Sequence, residues 1–368
     1  MFPCFQKLQG LQAALWFILT LRGNLPLREV TMVKSRKAKS FIGCFLGFFI
    51  SLSAGIAFAE NSLVPVGQTV GVTMDMKGIT IVDIADVEGY DGTCSPAKDA
   101  GLRAGDVIES INGRHMNSAK DFEEVIAETD GEELEITLRR GDEKKTFSVR
   151  PSLSSQDGKY RLGVWVKDAA SGIGTVTYYD PDSGDFGALG HGISENSEEK
   201  AIGISGGEIL DARIVSIQKG GKGQPGELVG VFTENDKKLG VVTENTEVGI
   251  KGIVQDGAKL TSVMEPIPIA KRNEVKTGKA EILSNIEEGK IEAFEIEIQK
   301  INRDTKNPKG MVLKVTDKTL LDKTGGIVQG MSGSPIIQEG KLVGAVTHVF
   351  VNDPTRGYGI FMENMLNA

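Results

Sequence analysis

Ser332 stands in GGIVQGMSGSPIIQ (residues 325–338), a glycine-bracketed turn between two apolar runs. Glycine lets the backbone take positive φ and lets another molecule come close. A turn that had only to reverse the chain could use Asn-Gly or Asp-Gly. This one holds a hydroxyl on a bare, tightly folded loop. A serine peptidase needs that arrangement, with an accessible Oγ and backbone N–H groups beside it to receive a developing oxyanion. The nucleophile then requires a base, and the chain has three histidines, His115, His191 and His348. His191 lies in FGALGHGIS, flanked by glycines at the end of a β-like run, so its imidazole can stand open with neighbours close; it is the expected base. His348 follows the serine loop on a strand that would border the substrate cleft, and His115 belongs to another part of the chain. The alternative is a non-catalytic scaffold whose Gly/Ser loop is only structural.

The elements that must position these residues are mostly strands. From residue 161 onward come short β-like runs, among them RLGVWVKD, GTVTYYD, ARIVSI, KLGVVTE, VGIKGIV, AFEIEIQKI, MVLKVTD and KLVGAVTHVF. Gly, Pro, Asp and Asn separate them and long helical patterns are scarce, which predicts a mainly β architecture, barrel or sandwich. The first half differs. VGVTM and GITIVDI read as two strands, Asn112-Gly113 as a hairpin turn, and SAKDFEEVIA as a helix. In that helix Ala119, Phe122, Val125 and Ile126 form one apolar face and Ser118 is the expected N-cap. PSLSSQDGKY (151–160) reads as a linker. The expected domains are therefore residues 1–59, 60–152 and 153–368.

Composition narrows the function classes. The 368 residues carry a net charge of −8, but residues 1–59 hold seven basic residues and one acidic residue, leaving a body of net charge −14. An acidic body argues against nonspecific nucleic-acid binding, which relies on Lys and Arg at phosphates. Of three cysteines, only Cys94 lies beyond residue 59, so the body can form no internal disulfide, and it lacks the Cys/His clusters of zinc sites. No phosphate-cradling loop and no sign of a metal or organic cofactor occurs. KSRKAKS (34–40), the uncharged stretch 41–59 and the Ala57-Phe58-Ala59 ending read as a secretory signal, also long enough to span a bilayer if uncut. Met32 is a natural start for such a protein, which makes residues 1–31 an expected artefact of gene calling.

Two resemblances sharpen this reading. Ser95-Pro96-Ala97, the run Gly101–Ile108 and Asn112-Gly113 resemble a bacterial PDZ domain. That resemblance implies a groove between Val70-Gly71-Val72 and the helix at 119–127, where a peptide or C-terminal tail would add as a strand; a spacer that binds nothing is the alternative. GALGHGIS, VTDKTLLDKTGGIVQGMSGSPIIQ and GAVTHVFVNDPTRGYGI are similar to the stage IV sporulation protein B peptidase family, which pairs a PDZ domain with a chymotrypsin-like double β-barrel. The resemblance implies Ser332 as nucleophile, His191 as base and Asp317 as acid, in the order His…Asp…Ser, with Gly330 and Ser332 N–H groups as oxyanion hole. Asp317 lies unusually close to the serine in sequence, so Asp211 and Asp236 remain candidates for the acid, and Asp317 can instead cap a turn. Val346, Thr347 and His348 would border the cleft.

The family further implies an exported enzyme in the forespore intermembrane space, tied to the inner forespore membrane by its N-terminal segment. It would process itself in trans and cut a membrane-associated regulator of a metalloprotease, triggering late sigma-factor activation. A quality-control peptidase like the HtrA proteins is the alternative, though there the PDZ domain follows the peptidase.

Overall fold

The computed structural model describes residues 62–194, 201–233, 237–255, 260, 262–304 and 308–367; the expected signal segment, Met32 and Asp236 lie outside them. Ala59–Ala368 form one compact unit. The strands that carry the argument are β1 (Thr69–Ile84), β2 (Val107–Ile111), β3 (Leu134–Arg140) and β4 (Glu143–Val149), then β5 (Val164–Tyr179), β6 (Asp185–Ala188), β7 (Ile204–Asp211), β8 (Lys238–Thr246) and β9 (Gly249–Val254). The last third supplies β10 (Gly278–Glu287), β11 (Lys290–Ile301), β12 (Met311–Val315), β13 (Pro335–Gln338), β14 (Lys341–Phe350) and β15 (Asp353–Phe361). Three helices matter to the argument: α1 (Ala119–Glu128), α2 (Lys318–Thr324) and α3 (Met362–Leu366).

Two six-stranded antiparallel rings result. In the first, β5 pairs β6, β6 pairs β9, β9 pairs β8, β8 pairs β7 and β7 pairs β1, and the β1–β5 pairing closes the circle. The second is a closed barrel in the order β10-β11-β12-β15-β14-β13. Each has its own apolar filling. Val70, Val72, Met74, Val176, Phe186 and Ile250 fill the first, and Ile282, Ile296, Leu313, Met331, Ile336 and Val346 belong to the second. A further cluster joins Tyr178 of the first barrel to Leu342, Ile360 and the α3 residues Met362 and Met365. Burying each of these large side chains contributes about 1.5–3 kcal/mol, enough to hold the barrels against one another.

The PDZ-like module does not precede the peptidase as a separate bead. β1 and β5 are sixteen residues each and pair from Thr69↔Thr175 to Ile84↔Val164. Their far halves leave the first barrel and become strands of the module, where β1 pairs β2, β2 pairs β3 and β3 pairs β4. Ile79 and Ile81 of β1 and Leu162 just before β5 are buried with Ile108, Phe122, Val125 and Ile136 in the module core. The boundaries expected at 59/60 and 152/153 therefore both shift toward the C-terminus, into β1 and β5, because one continuous ribbon serves both cores. VGVTM and GITIVDI are one strand, and so are VWVKD and GTVTYY; the intervening glycines do not break them. PSLSSQDGKY is no linker either: Ser152-Leu153 pairs Tyr160-Arg161 as a short hairpin, and Tyr160 packs on the module core. Helix α1 forms as its sequence predicts, with the Ser118 hydroxyl accepting the Asp121 N–H and Phe122, Val125 and Ile126 buried.

Candidate active site

The serine loop leaves α2 and enters β13 in the second barrel. Gly325 ends the helix in the left-handed region (φ +79°), with its N–H donating to the Leu321 carbonyl. Gly330 and Gly333 also take positive φ, so the chain doubles back on either side of Ser332. At Gly333 no side chain fits, since a Cβ would stand 2.0 Å from the Thr175 carbonyl oxygen. The loop is held internally by Met331 N–H to Val328 O and Ser334 N–H to Met331 O, and Gly333 N–H donates to Val346 O of β14. The Gln329 carbonyl accepts from Leu228, which fixes the peptide plane that carries the Gly330 N–H. Among the described residues the Gly330 and Ser332 N–H groups have no acceptor. Ser332 itself is half-buried, and its hydroxyl donates to the Thr347 carbonyl at 2.7 Å.

The histidine loop comes from the first barrel. After β6 the chain makes a three-residue turn, in which Gly190 N–H donates to Ala188 O at 2.9 Å with Leu189 at φ +69°. Such a γ-turn is strained for a bulky residue, and strain of this kind gathers at functional sites. The turn throws His191 toward β14, and Gly190 lies so near that a Cβ would meet Thr347 Cγ2 at 3.0 Å. The His191 and His348 rings then lie 4.7 Å apart, tilted by 38°. His191 and the carbonyl holding the Ser332 hydroxyl are thus brought to one surface where the barrels meet.

The imidazole has a defined tautomer. His191 Nδ1 lies 2.9 Å from the Gly192 carbonyl, which can only accept, so Nδ1 carries the proton and Nε2 is left as the basic nitrogen. Burial pushes the His191 pKa down, and the Gly192 carbonyl opposes this more weakly. Asn245 of β8 holds the far end of the loop: its Oδ1 accepts the Ile193 N–H, and its Nδ2 donates to the Ile193 and Ile202 carbonyls.

The remaining expected residues fall elsewhere. Asp317 is the N-cap of α2, its Oδ1 accepting the Leu320 N–H at 2.9 Å, and the proton on the His191 ring goes to a backbone carbonyl instead. Asp211 accepts a hydrogen bond from Gln68 on the first barrel. Val346 and Thr347 are buried, and the Thr347 hydroxyl donates to Pro308 O, so these two offer the cleft only their backbone; of the three only the His348 ring is half-exposed. Val70-Gly71-Val72 form no peptide groove. They pair Gly174-Ile173-Gly172 of β5 on one edge and Asp211-Leu210-Ile209 of β7 on the other, and a Cβ on Gly71 would strike the Phe232 ring. Both edges are occupied because the barrel claims this half of β1. The strand beside α1 is the start of β5, where Asp168 accepts the Ala119 N–H. Among the described residues Val164–Gly174 pair with β1 alone, which leaves that edge open. Sequence reasoning missed Thr175, Thr177 and Asn245. A signal existed for the threonines, which alternate with valine in GTVTYY and are fully buried.

Comparison with known proteins agrees with the two parts. The PDZ domain family matches residues 93–140. The chain is 33% identical over 67 residues to the regulator of sigma-W protease RasP of Bacillus subtilis, covering 18% of this chain and 16% of that protein. It is 40% identical over 57 residues to the serine protease HTRA1 of Xenopus tropicalis, covering 16% and 12%. Among solved structures, the PDZ domain of the SdrC-like protein from Listeria monocytogenes matches at 23% identity over 24% of this chain and 87% of that one, with a TM-score of 0.20. The chain thus spans less than a fifth of the length of these curated relatives. The match that reaches furthest takes in both the histidine and serine loops: residues 158–366, more than half of the chain, fit the SpoIVB peptidase S55 family, and the chain is a member of that family, a serine peptidase.

Proposed function

We propose that Ser332 is the nucleophile and His191 Nε2 the base of an exported, sporulation-type endopeptidase that processes itself in trans. One observation carries this reading: the Gly192 carbonyl fixes His191 in the tautomer a base needs, on a loop seated against the strand whose Thr347 carbonyl holds the Ser332 hydroxyl. A substrate strand laid along β14 would bring its own N–H to the Thr347 carbonyl. That exchange frees Oγ to turn toward His191. Oγ then attacks the scissile carbonyl carbon as its proton passes to Nε2, and the oxyanion is received by the Gly330 and Ser332 N–H groups. The C–N bond breaks as His191 returns the proton to the leaving amine, and water releases the acyl group by the same path. The backbone carbonyl does part of an acid's work, since it sets the tautomer, but it supplies no negative charge to steady the imidazolium.

The open edge of β5 beside α1 is where a peptide or C-terminal tail would add as a strand, with the chain itself or a membrane-associated regulator of a metalloprotease as its source. The signalling role, the forespore intermembrane space as its location and the N-terminal segment as its tie to the membrane belong to the same proposal. Intact-mass measurement of the full chain and its Ser332→Ala variant over several hours, beside a denatured bystander protein, tests this. Discrete fragments from the wild type alone, with the bystander intact, are expected. Digestion of the bystander would indicate a quality-control peptidase instead.

A further inference from the structure

Thr175 lies in the middle of β5 with none of its surface exposed. Its N–H donates to the Ser332 carbonyl at 3.0 Å, and its hydroxyl donates to the Gly330 carbonyl at 2.7 Å. Its own carbonyl accepts the N–H of Leu189, the strained residue two before His191, at 3.2 Å. One residue of the first barrel therefore holds the nucleophile loop by two peptide planes and the histidine loop by a third. Two residues on, Thr177 repeats the device on the far side of the serine, its hydroxyl donating to the Gly333 carbonyl at 2.7 Å. A valine would fill either site equally well by shape, so the hydroxyl needs its own explanation. A buried strand position costs a polar group unless its hydrogen bond is made, and here the bond goes to the one loop that must keep its N–H groups aimed outward.

We infer that Thr175 is a positioning residue for the peptidase reaction: by fixing the Gly330–Met331 and Ser332–Gly333 peptide planes, which adjoin the planes that carry the Gly330 and Ser332 N–H donors, and by anchoring the turn before His191, it holds the oxyanion site in shape and registers nucleophile against base. The inference rests on the assignment of Ser332 as nucleophile. It gives Thr175 no contact with substrate; the residue acts through the loop. Removing the hydroxyl leaves the Gly330 carbonyl without its donor, so the Gly330–Met331 peptide, which joins the two planes that carry the oxyanion donors, keeps only the Met331 N–H bond to Val328 O, and the oxyanion site loosens without any change to Ser332.

The test uses the full chain and a biotinylated fluorophosphonate, whose phosphorus is attacked by Oγ as fluoride leaves. Thr175→Val is expected to be labelled roughly 10²-fold more slowly, the low end of what loss of one oxyanion donor costs. Thr175→Ser, which keeps the hydroxyl, is expected within about threefold of wild type, a rescue that a purely structural role would not require. Thr69→Val is the control, since its buried hydroxyl donates to Asn285 O and not to the loop; wild-type labelling is expected. Where the valine is not tolerated, Thr175→Ala removes the same bond without overpacking, and melting curves report the fold of each. Labelling of Thr175→Val or Thr175→Ala at the wild-type rate would overturn the inference. Failure of the wild type itself to label would overturn the assignment of Ser332 on which it rests.

Discussion

Asn245 supplies three of the hydrogen bonds that hold the histidine loop, two of them to Ile193, which follows His191 by two residues. Each net hydrogen bond contributes about 0.5–1.5 kcal/mol, so removal of all three costs about 1.5–4.5 kcal/mol. The residue is half-buried, and water can reach part of the gap, which puts Asn245→Ala near the lower end, about 2 kcal/mol. Asn245→Asp is the sharper perturbation because its shape is unchanged. The carboxylate still accepts from Ile193 N–H, yet it sets a negative oxygen against two carbonyls that had received N–H groups. At neutral pH it should be at least as damaging as alanine. Those carbonyls disfavour the charged form, so the folded pKa of the new carboxyl rises above the ordinary value of about 3.9. A raised folded pKa stabilises below the unfolded value and is lost as pH rises through the folded one; the deficit of Asn245→Asp should therefore shrink on acidification, and that of Asn245→Ala should not. Urea unfolding at pH 7.5 and 5, together with fluorophosphonate labelling, reads both effects. If the loop loosens on its own, labelling falls further than global stability. An alanine variant within 0.5 kcal/mol of wild type and labelled at the same rate would refute the reasoning, as the ordinary range for a site without structural duty.

Other consequences are as direct. His191 works as a base only when neutral, and burial pushes its pKa down, so labelling of Ser332 should persist to lower pH than an ordinary imidazole near 6.5 would permit; a rate already halved above pH 7 would contradict this. Asp317→Ala should cost about 1 kcal/mol in thermal stability through the lost N-cap, and Asp317→Asn, which can still accept the Leu320 N–H, should melt like wild type and label within a few-fold of it. A loss near 10⁴-fold in the asparagine variant at unchanged stability would instead place Asp317 on the imidazole in the working enzyme.

Much of the site was legible in the residues because glycine has local consequences. Gly190, Gly192, Gly330 and Gly333 bracket His191 and Ser332, and each takes a φ value or a close approach that demands glycine. The barrels were foreseeable for a similar reason, since short β-rich runs with turn residues between them leave few other architectures. The insertion of the module was not. Periodicity marks a segment as a strand but is silent on its partner, and whether Val70 or Val164 lies beside α1 is settled by pairings about a hundred residues apart. Asp317 shows the same limit on a smaller scale. A spacing of fifteen residues from the serine suits a capping aspartate and a catalytic one alike, and only the Leu320 N–H separates them. Asn245 sits in VVTENTEVG, where every polar residue could belong to a turn, and nothing local distinguishes it.

The central claim is that Ser332 is an activated nucleophile served by His191. The most direct measurement is the rate of fluorophosphonate labelling of the full chain, with the modified peptide identified by mass spectrometry, beside Ser332→Ala and His191→Ala. The account requires a single adduct on Ser332, none in Ser332→Ala, and labelling slowed by at least 10²-fold in His191→Ala, the lower limit of what a lost general base costs. Equal labelling of wild type and His191→Ala, or an adduct on any other residue, would contradict it.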